Sequence, residues 1–324
     1  MRLLVTGVTG KVGHATARAL VAAGHEVRGL VRDPARAAPV LPVGVEPVIG
    51  DVTDPSSLAG AAAGCEIVFN AMGLPEQWLA DVGAFERVNA RGTENVVRGA
   101  REAGVRRVVH TSTIDVFHAV AGGRFDESEL ARYPKPTAYE RSKQHAEELA
   151  LAAAGDVELV FVNPAAVYGL GPRGSASLER KLFEPIVRRR LPALTPGGFG
   201  VAFSEGVGAG QLLAAERGRP GEHYIICDEH VTLRHLAETV VRVAGRGRVP
   251  STLPVALARS LALASEGLAR VTRRPPLVAR GELQFLLWNA VPDSGKAQRE
   301  LGWRPTPFEV GVQETLQELG LMNR

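Results

Sequence analysis

Thr6-Gly7-Val8-Thr9-Gly10-Lys11-Val12-Gly13 decides how this chain is read. The stretch follows the apolar run Leu3–Val5 and opens an Ala/Leu-rich segment, Lys11–Ala23, with helical spacing. A strand that turns on glycine into a helix is a ready anion site, because the first N–H groups of the helix have no partner. Gly7 permits the tight turn. Gly10 lets the backbone approach a pyrophosphate, and Gly13 lets the helix pack on the strand. Thr9, Lys11 and Val12 complete the phosphate-facing loop. A second strand candidate, Glu26–Val31, follows where a dinucleotide-binding unit needs one.

The same alternation continues outward from the turn. Arg2–Thr6, Glu26–Val31, Pro47–Ile49, Ile67–Ala71, Arg107–Thr111 and Glu158–Val162 read as strands, most of them apolar on both faces. Lys11–Ala23, Ser56–Ala63, Val88–Ala103 and Thr137–Ala154 read as the helices between them, with Gly24, Gly64, Gly104 and Gly155 at their ends. Strands without a polar face belong in a parallel sheet under two helix layers, so the pattern predicts a doubly wound, Rossmann-type α/β fold. After Pro164 the pattern changes. Tyr224–Cys227 is one further strand, and Thr232–Ala244, Pro254–Val271 and Pro307–Leu319 are helical. The predicted division is a dinucleotide domain over 1–164, to which 201–228 returns. A smaller, mostly helical substrate lobe takes 165–200 and 229–324.

Composition excludes several classes. Of 324 residues, 45% are hydrophobic and 23% charged, and the net charge is +3. The longest basic run is Arg188–Arg190, too short to predict nucleic-acid binding. The run Leu3–Val5 is too short for the core of a signal peptide, and no stretch predicts an integral membrane segment. Two distant cysteines, Cys65 and Cys227, form neither a disulfide framework nor a zinc pattern. The expectation is a cytoplasmic protein without a metal.

The end of the second strand bears on the cofactor. An acidic residue there binds the ribose 2′-hydroxyl of NAD, whereas an arginine suits the 2′-phosphate of NADP. Arg32 holds that place and Arg36 stands close by, while Asp33 before Pro34 reads as a turn residue. NADP(H) is therefore expected in preference to NAD(H).

The glycine spacing, Gly-x-x-Gly-x-x-Gly, resembles the extended branch of the short-chain dehydrogenase/reductases, the NAD-dependent epimerase/dehydratase family. The resemblance runs over nearly the whole chain, and it is nearest to the dihydroflavonol-reductase and 3β-hydroxysteroid-dehydrogenase types. It implies that Asp51–Val52 lies at the adenine ring and that Asn70-Ala71-Met72-Gly73 lines the cofactor. Asn89 opens Asn-x-x-Gly-Thr-x-Asn-Val, another stretch typical of the branch. Asn163-Pro164-Ala165-Ala166-Val167-Tyr168-Gly169 resembles the segment that closes over the nicotinamide end, with Asn163 where an arginine is usual. Phe203-Ser204-Glu205-Gly206-Val207 departs from the branch's acidic motif. The resemblance also points to a homodimer through Val88–Ala103 and Thr137–Ala154.

Tyr139 and Lys143 carry the chemistry in this reading. Four residues apart, they share a helix face. A neighbouring ammonium lowers the pKa of a phenol that is otherwise a poor acid or base at neutral pH. Matching Val116-Phe117 to the family's Val-Tyr makes Thr113 the residue that holds the substrate oxygen, with Ser112 one place off. Hydride transfer to a carbonyl carbon, a proton from Tyr139, a nicotinamide ribose held by Lys143 and a relay water at Asn89 complete the expected mechanism. Trp78, Phe117, Tyr168, Leu194 and Phe199, together with Leu74 and Phe125, suggest a lipophilic or aromatic carbonyl substrate and its alcohol. The alternative is a nucleotide-sugar epimerase or dehydratase with tightly bound NAD.

Overall fold

The computed structural model describes residues 1–75, 79–172, 178–272 and 280–323. Seven strands build the main sheet: β1 (Arg2–Thr6), β2 (Glu26–Val31), β3 (Val45–Ile49), β4 (Ile67–Asn70), β5 (Arg107–Thr111), β6 (Glu158–Pro164) and β7 (His223–Ile226). They lie in the order β7-β6-β5-β4-β1-β2-β3, all parallel. Chain direction across the sheet reverses between β1 and β4. In doubly wound sheets a crevice opens there at the carboxyl ends of the strands.

Burial on both faces explains the apolar runs. Leu3 and Val5 join the core on one side of β1, and Leu4 joins the core on the other. Helix α1 (Lys11–Ala22) and the Ser204–Arg217 helix cover the first side. The helices Leu58–Ala62, Gly92–Glu102 and Ala138–Ala153 cover the second.

The second half contains more strand than its sequence pattern suggests. Ala166–Tyr168, Gly198–Phe203 and Glu229–Thr232 form a three-stranded mixed sheet with Gly198–Phe203 in the middle. Every residue of that central strand is buried, so it has no polar alternation to reveal it. Phe199, Val201 and Phe203 share a core with Phe183, Leu236 and Phe308. The helices Leu233–Ala244, Val255–Thr272 and Phe308–Glu318 stand where helical spacing predicted them, to within a residue or so. No helix among the described residues is long and apolar enough to cross a membrane.

Candidate active site

The glycine turn is closed by contact with the loop after β4. Gly7 has a φ of 66°, and a Cβ on it would lie 2.7 Å from the Ala71 carbonyl oxygen. A Cβ on Gly13 would lie 2.3 Å from the Gly7 carbonyl oxygen. Neither position admits a side chain. α1 then starts at Gly10 with no side-chain cap and no acidic residue in its first turn. Its leading N–H groups and the positive end of its dipole are left for an anion, which is what the pyrophosphate of a dinucleotide requires.

Lys11 does something the sequence did not suggest. Its ammonium donates to Glu179 Oε1 at 2.6 Å and to the Gly169 carbonyl at 2.8 Å. Both side chains are buried, at 8% and 4% exposure. Burial lowers the Lys11 pKa, and Glu179 partly restores it. The lysine charge ties the turn to the chain beyond β6, and only its backbone is offered to a phosphate. At the end of β2, Arg32 is exposed and has no hydrogen bond or ion pair among the described residues. Asp33, expected in a turn, instead caps the short helix Pro34–Ala37: its carboxylate accepts from the Ala35 and Arg36 N–H groups at 3.0 and 3.3 Å. Arg36 also reaches back to Asp33 at 3.5 Å. Asp51 caps a turn by accepting from the Thr53 backbone and hydroxyl, and Val52 packs in the core beside it.

The Asn70 side chain is buried in a network rather than turned to the crevice. Its Oδ1 accepts from the Thr6 hydroxyl at 2.8 Å, and its Nδ2 meets Thr93 and His110. Burial takes the His110 pKa well below its usual range, so this histidine is neutral and structural. The network leaves the Ala71–Gly73 backbone to line the edge. Asn89 sits in a π-type turn, Glu86–Arg91, that leads into the Gly92–Glu102 helix. It grips Leu74 through both the N–H (2.7 Å) and the carbonyl (3.1 Å), and donates to Ser142 Oγ at 3.1 Å. Both amide hydrogens are used, so Asn89 joins the β4 loop to the Ala138–Ala153 helix.

That helix begins with a reciprocal cap. Thr137 Oγ1 accepts from the Glu140 N–H at 3.1 Å, and Glu140 Oε2 accepts from the Thr137 N–H at 2.8 Å. The cap fixes where the helix starts, and Tyr139 and Lys143 follow in its first two turns. Tyr139 is half-buried, its ring edge-on to Phe85 at 6.0 Å. Lys143 is buried, and its ammonium donates to the Thr111 carbonyl at 2.8 Å. A Cβ on Gly73 would be 3.7 Å from that ammonium. Burial pushes the Lys143 pKa down to about 8, against the opposing pull of Glu147 and Asp115.

Beyond β5, Thr113 is extended and buried. Its hydroxyl donates to Asp115 Oδ2 at 2.8 Å, and its carbonyl accepts from Asn163 Nδ2 at 3.0 Å. Asn163 therefore braces Thr113 where an arginine is usual. Ser112 Oγ is buried with no partner among the described residues. Pro164 ends β6, and Ala166 and Val167 continue into the small sheet.

The apolar candidates separate into two groups. Phe117, Tyr168 and Leu194 are core side chains with at most 1% exposure. The Tyr168 hydroxyl meets the Phe308 carbonyl at 3.4 Å, and burial raises its pKa. Phe199 instead lines a narrow apolar pocket with Ile114, Phe125, Phe285 and Trp288. This pocket starts one residue from Thr113. Phe285 and Trp288 escaped the sequence reading because nothing in their Leu-rich stretch marks one face as exposed. Asp228 escaped it too: its carboxylate accepts from the Phe203 and Thr306 N–H groups and braces the small sheet. Trp78 lies outside the described residues. Among those residues, no cluster of His, Cys, Asp or Glu is arranged to hold a metal ion.

The profile of the NAD dependent epimerase/dehydratase family matches residues 3–195. Sterol demethylase protein B of Methylococcus capsulatus is 31% identical over 310 residues, covering 94% of each chain. The 4-hydroxy-2-methyl-3-oxo-4-farnesyl-3,4-dihydroquinoline-1-oxide ketoreductase of Stigmatella aurantiaca is 33% identical over 315 residues, 94% of this chain and 92% of its own. The crystal structure of gox2253 matches with a TM-score of 0.83 at 30% identity, covering 99% of each chain.

Proposed function

Because this chain belongs to the NAD dependent epimerase/dehydratase family, the extended branch of the short-chain dehydrogenase/reductases, we propose that it interconverts a lipophilic or aromatic carbonyl compound and its alcohol with NADP(H). The observation that carries the proposal is the placement of Lys143. Its buried ammonium lies at the carboxyl edge of the sheet, one helical turn from Tyr139.

The Gly7–Gly13 turn and the Ala71–Gly73 backbone would hold the dinucleotide, which would supply or accept the hydride. The rest falls to side chains. Tyr139 gives its phenolic proton to the carbonyl oxygen in reduction and takes it back in oxidation. Lys143 favours the phenolate through its charge, which it keeps below about pH 8. Thr113 orients the substrate oxygen. Phe125, Phe199, Phe285 and Trp288, which pack beside Ile114, give the apolar body of the substrate a wall to lie against. Exposed Arg32 pairs with a 2′-phosphate. In this reading 165–200 and 229–324 make the substrate lobe on a dinucleotide domain of 1–164 and 201–228. Relatives acting on a sterol or a farnesylated quinoline support the apolar substrate.

The test follows nicotinamide absorbance with NADPH and NADH over a panel of ketones, aldehydes and sugar nucleotides. Oxidation of NADPH with an apolar ketone is expected, and Tyr139→Phe should lower kcat by about 10²- to 10⁴-fold while cofactor still binds. A nucleotide-sugar epimerase would instead convert its substrate with no net change in absorbance, and that result would replace this reading.

A further inference from the structure

The turn after Thr113 holds a carboxyl group that the mechanism above does not use. Thr113 Oγ1 donates to Asp115 Oδ2 at 2.8 Å and accepts from the Asp115 N–H at 3.3 Å. Asp115 Oδ1 is buried and has no partner among the described residues. A hydroxyl has a single proton to give. While Asp115 is a carboxylate it takes that proton, and with one lone pair on the Asp115 N–H, Thr113 presents only its second lone pair to the site. A substrate alcohol can donate to that lone pair. A substrate carbonyl cannot, because both oxygens are then acceptors. When Asp115 is a carboxylic acid, its own proton can lie on Thr113 Oγ1. The threonine proton is then released to point at a carbonyl oxygen.

We propose that Asp115 is a positioning residue that sets the hydrogen-bond polarity of Thr113: as a carboxylate it prepares the site for the alcohol, and as an acid for the carbonyl compound. The proposal rests on Thr113 being the residue that holds the substrate oxygen. Binding of the carbonyl compound then takes up one proton from solvent at Asp115, and binding of the alcohol favours its release.

The surroundings keep both states within reach. Burial and the Glu140 carboxylate, on the Ala138–Ala153 helix, push the Asp115 pKa up. The Thr113 hydrogen bond, Lys135 and Lys143 pull it down, and the balance lies at about 6. Lys135 is itself buried, its ammonium on the Phe117 carbonyl at 2.7 Å and over the Trp288 ring. The helix that carries Glu140 and Lys143 packs directly on the Ile114–Val116 turn.

The experiment measures KM for benzylacetone with NADPH, and for the corresponding alcohol with NADP, from about pH 5 to about pH 8, in the wild type and in Asp115→Asn. Above the carboxyl pKa the wild-type KM for the ketone should climb by up to about tenfold per pH unit, since only the protonated fraction is competent. The KM for the alcohol should move the other way. An asparagine does not titrate, so the variant should lose the pH dependence of both KM values between about pH 5 and about pH 8. A variant whose ketone profile stays parallel to the wild type overturns the inference and leaves the oxidoreductase reading intact. Failure of both substrates with either cofactor counts against that reading instead. A second measurement needs no turnover: Thr113→Val removes the donor and should move the Asp115 carboxyl titration, followed by ¹³C NMR, to higher pH. An unmoved titration overturns the inference.

Discussion

The two walls of the crevice each bury a lysine, and the two lysines have opposite fates. On the glycine-turn wall, Lys11 touches a buried carboxylate, Glu179, at 2.6 Å. On the tyrosine wall, Lys143 has only a carbonyl as hydrogen-bond partner among the described residues, and its carboxylates, Glu147 and Asp115, act on it from beyond ion-pair contact. Contact with a full counter-charge makes the first lysine a structural tie. Its absence leaves the second with a pKa near working pH, which is where a proton-handling site needs its ammonium. Burial alone does not separate structure from chemistry here. What the ammonium touches does.

Exchange of either lysine for methionine should split the two roles. Lys143→Met should cut kcat by about 10²- to 10⁴-fold. It should leave the folded state no less stable, because a costly buried charge is gone. Lys11→Met should do the reverse: it leaves Glu179 buried and unpaired, at a cost of about 3–5 kcal/mol of stability. Urea unfolding and kcat of the folded fraction check both, and equal effects of the two variants on kcat would erase the distinction. Glu179→Ala should match Lys11→Met in unfolding, since it strands the other partner.

Arg32→Ala tests the outer edge of the glycine wall. It should raise KM for NADPH by about ten- to a hundredfold, as the loss of a charge-assisted contact implies, and leave KM for NADH nearly unchanged. Equal loss with both cofactors would remove Arg32 from cofactor choice. The smallest effect is in pH. The Lys143 pKa falls from 10.5 to about 8 on folding. Between those values the unfolded chain holds a proton that the folded chain has released, so stability should rise with pH across that window. Urea midpoints of the wild type minus those of Lys143→Met should climb from about pH 8 upward, and a flat difference would mean that the lysine is not perturbed.

How legible each part was follows from the range of the contacts behind it. Arg2–Thr6, Glu26–Val31 and Arg107–Thr111 are read to the residue, because strands covered on both sides are short apolar runs with glycine or a charge at their ends. The reciprocal cap at Thr137 and Glu140 is local, and so is the four-residue spacing that puts Tyr139 and Lys143 on one helix face. Gly198–Phe203 is just as buried but rich in glycine. Its partners Ala166–Tyr168 and Glu229–Thr232 come from opposite sides in sequence, and no period marks it.

By itself, the amino-acid sequence determined the doubly wound sheet, the bare helix N-terminus at Gly10 and the tyrosine–lysine face, since all three depend on residues within a turn or a strand of one another. Only the tertiary structure decided which charge is spent and which is kept. Lys11 meets Glu179 from 168 residues away, and Thr113 is held by Asn163 from 50 residues away. The energy of a charge depends on what surrounds it in space, and folding alone sets those surroundings.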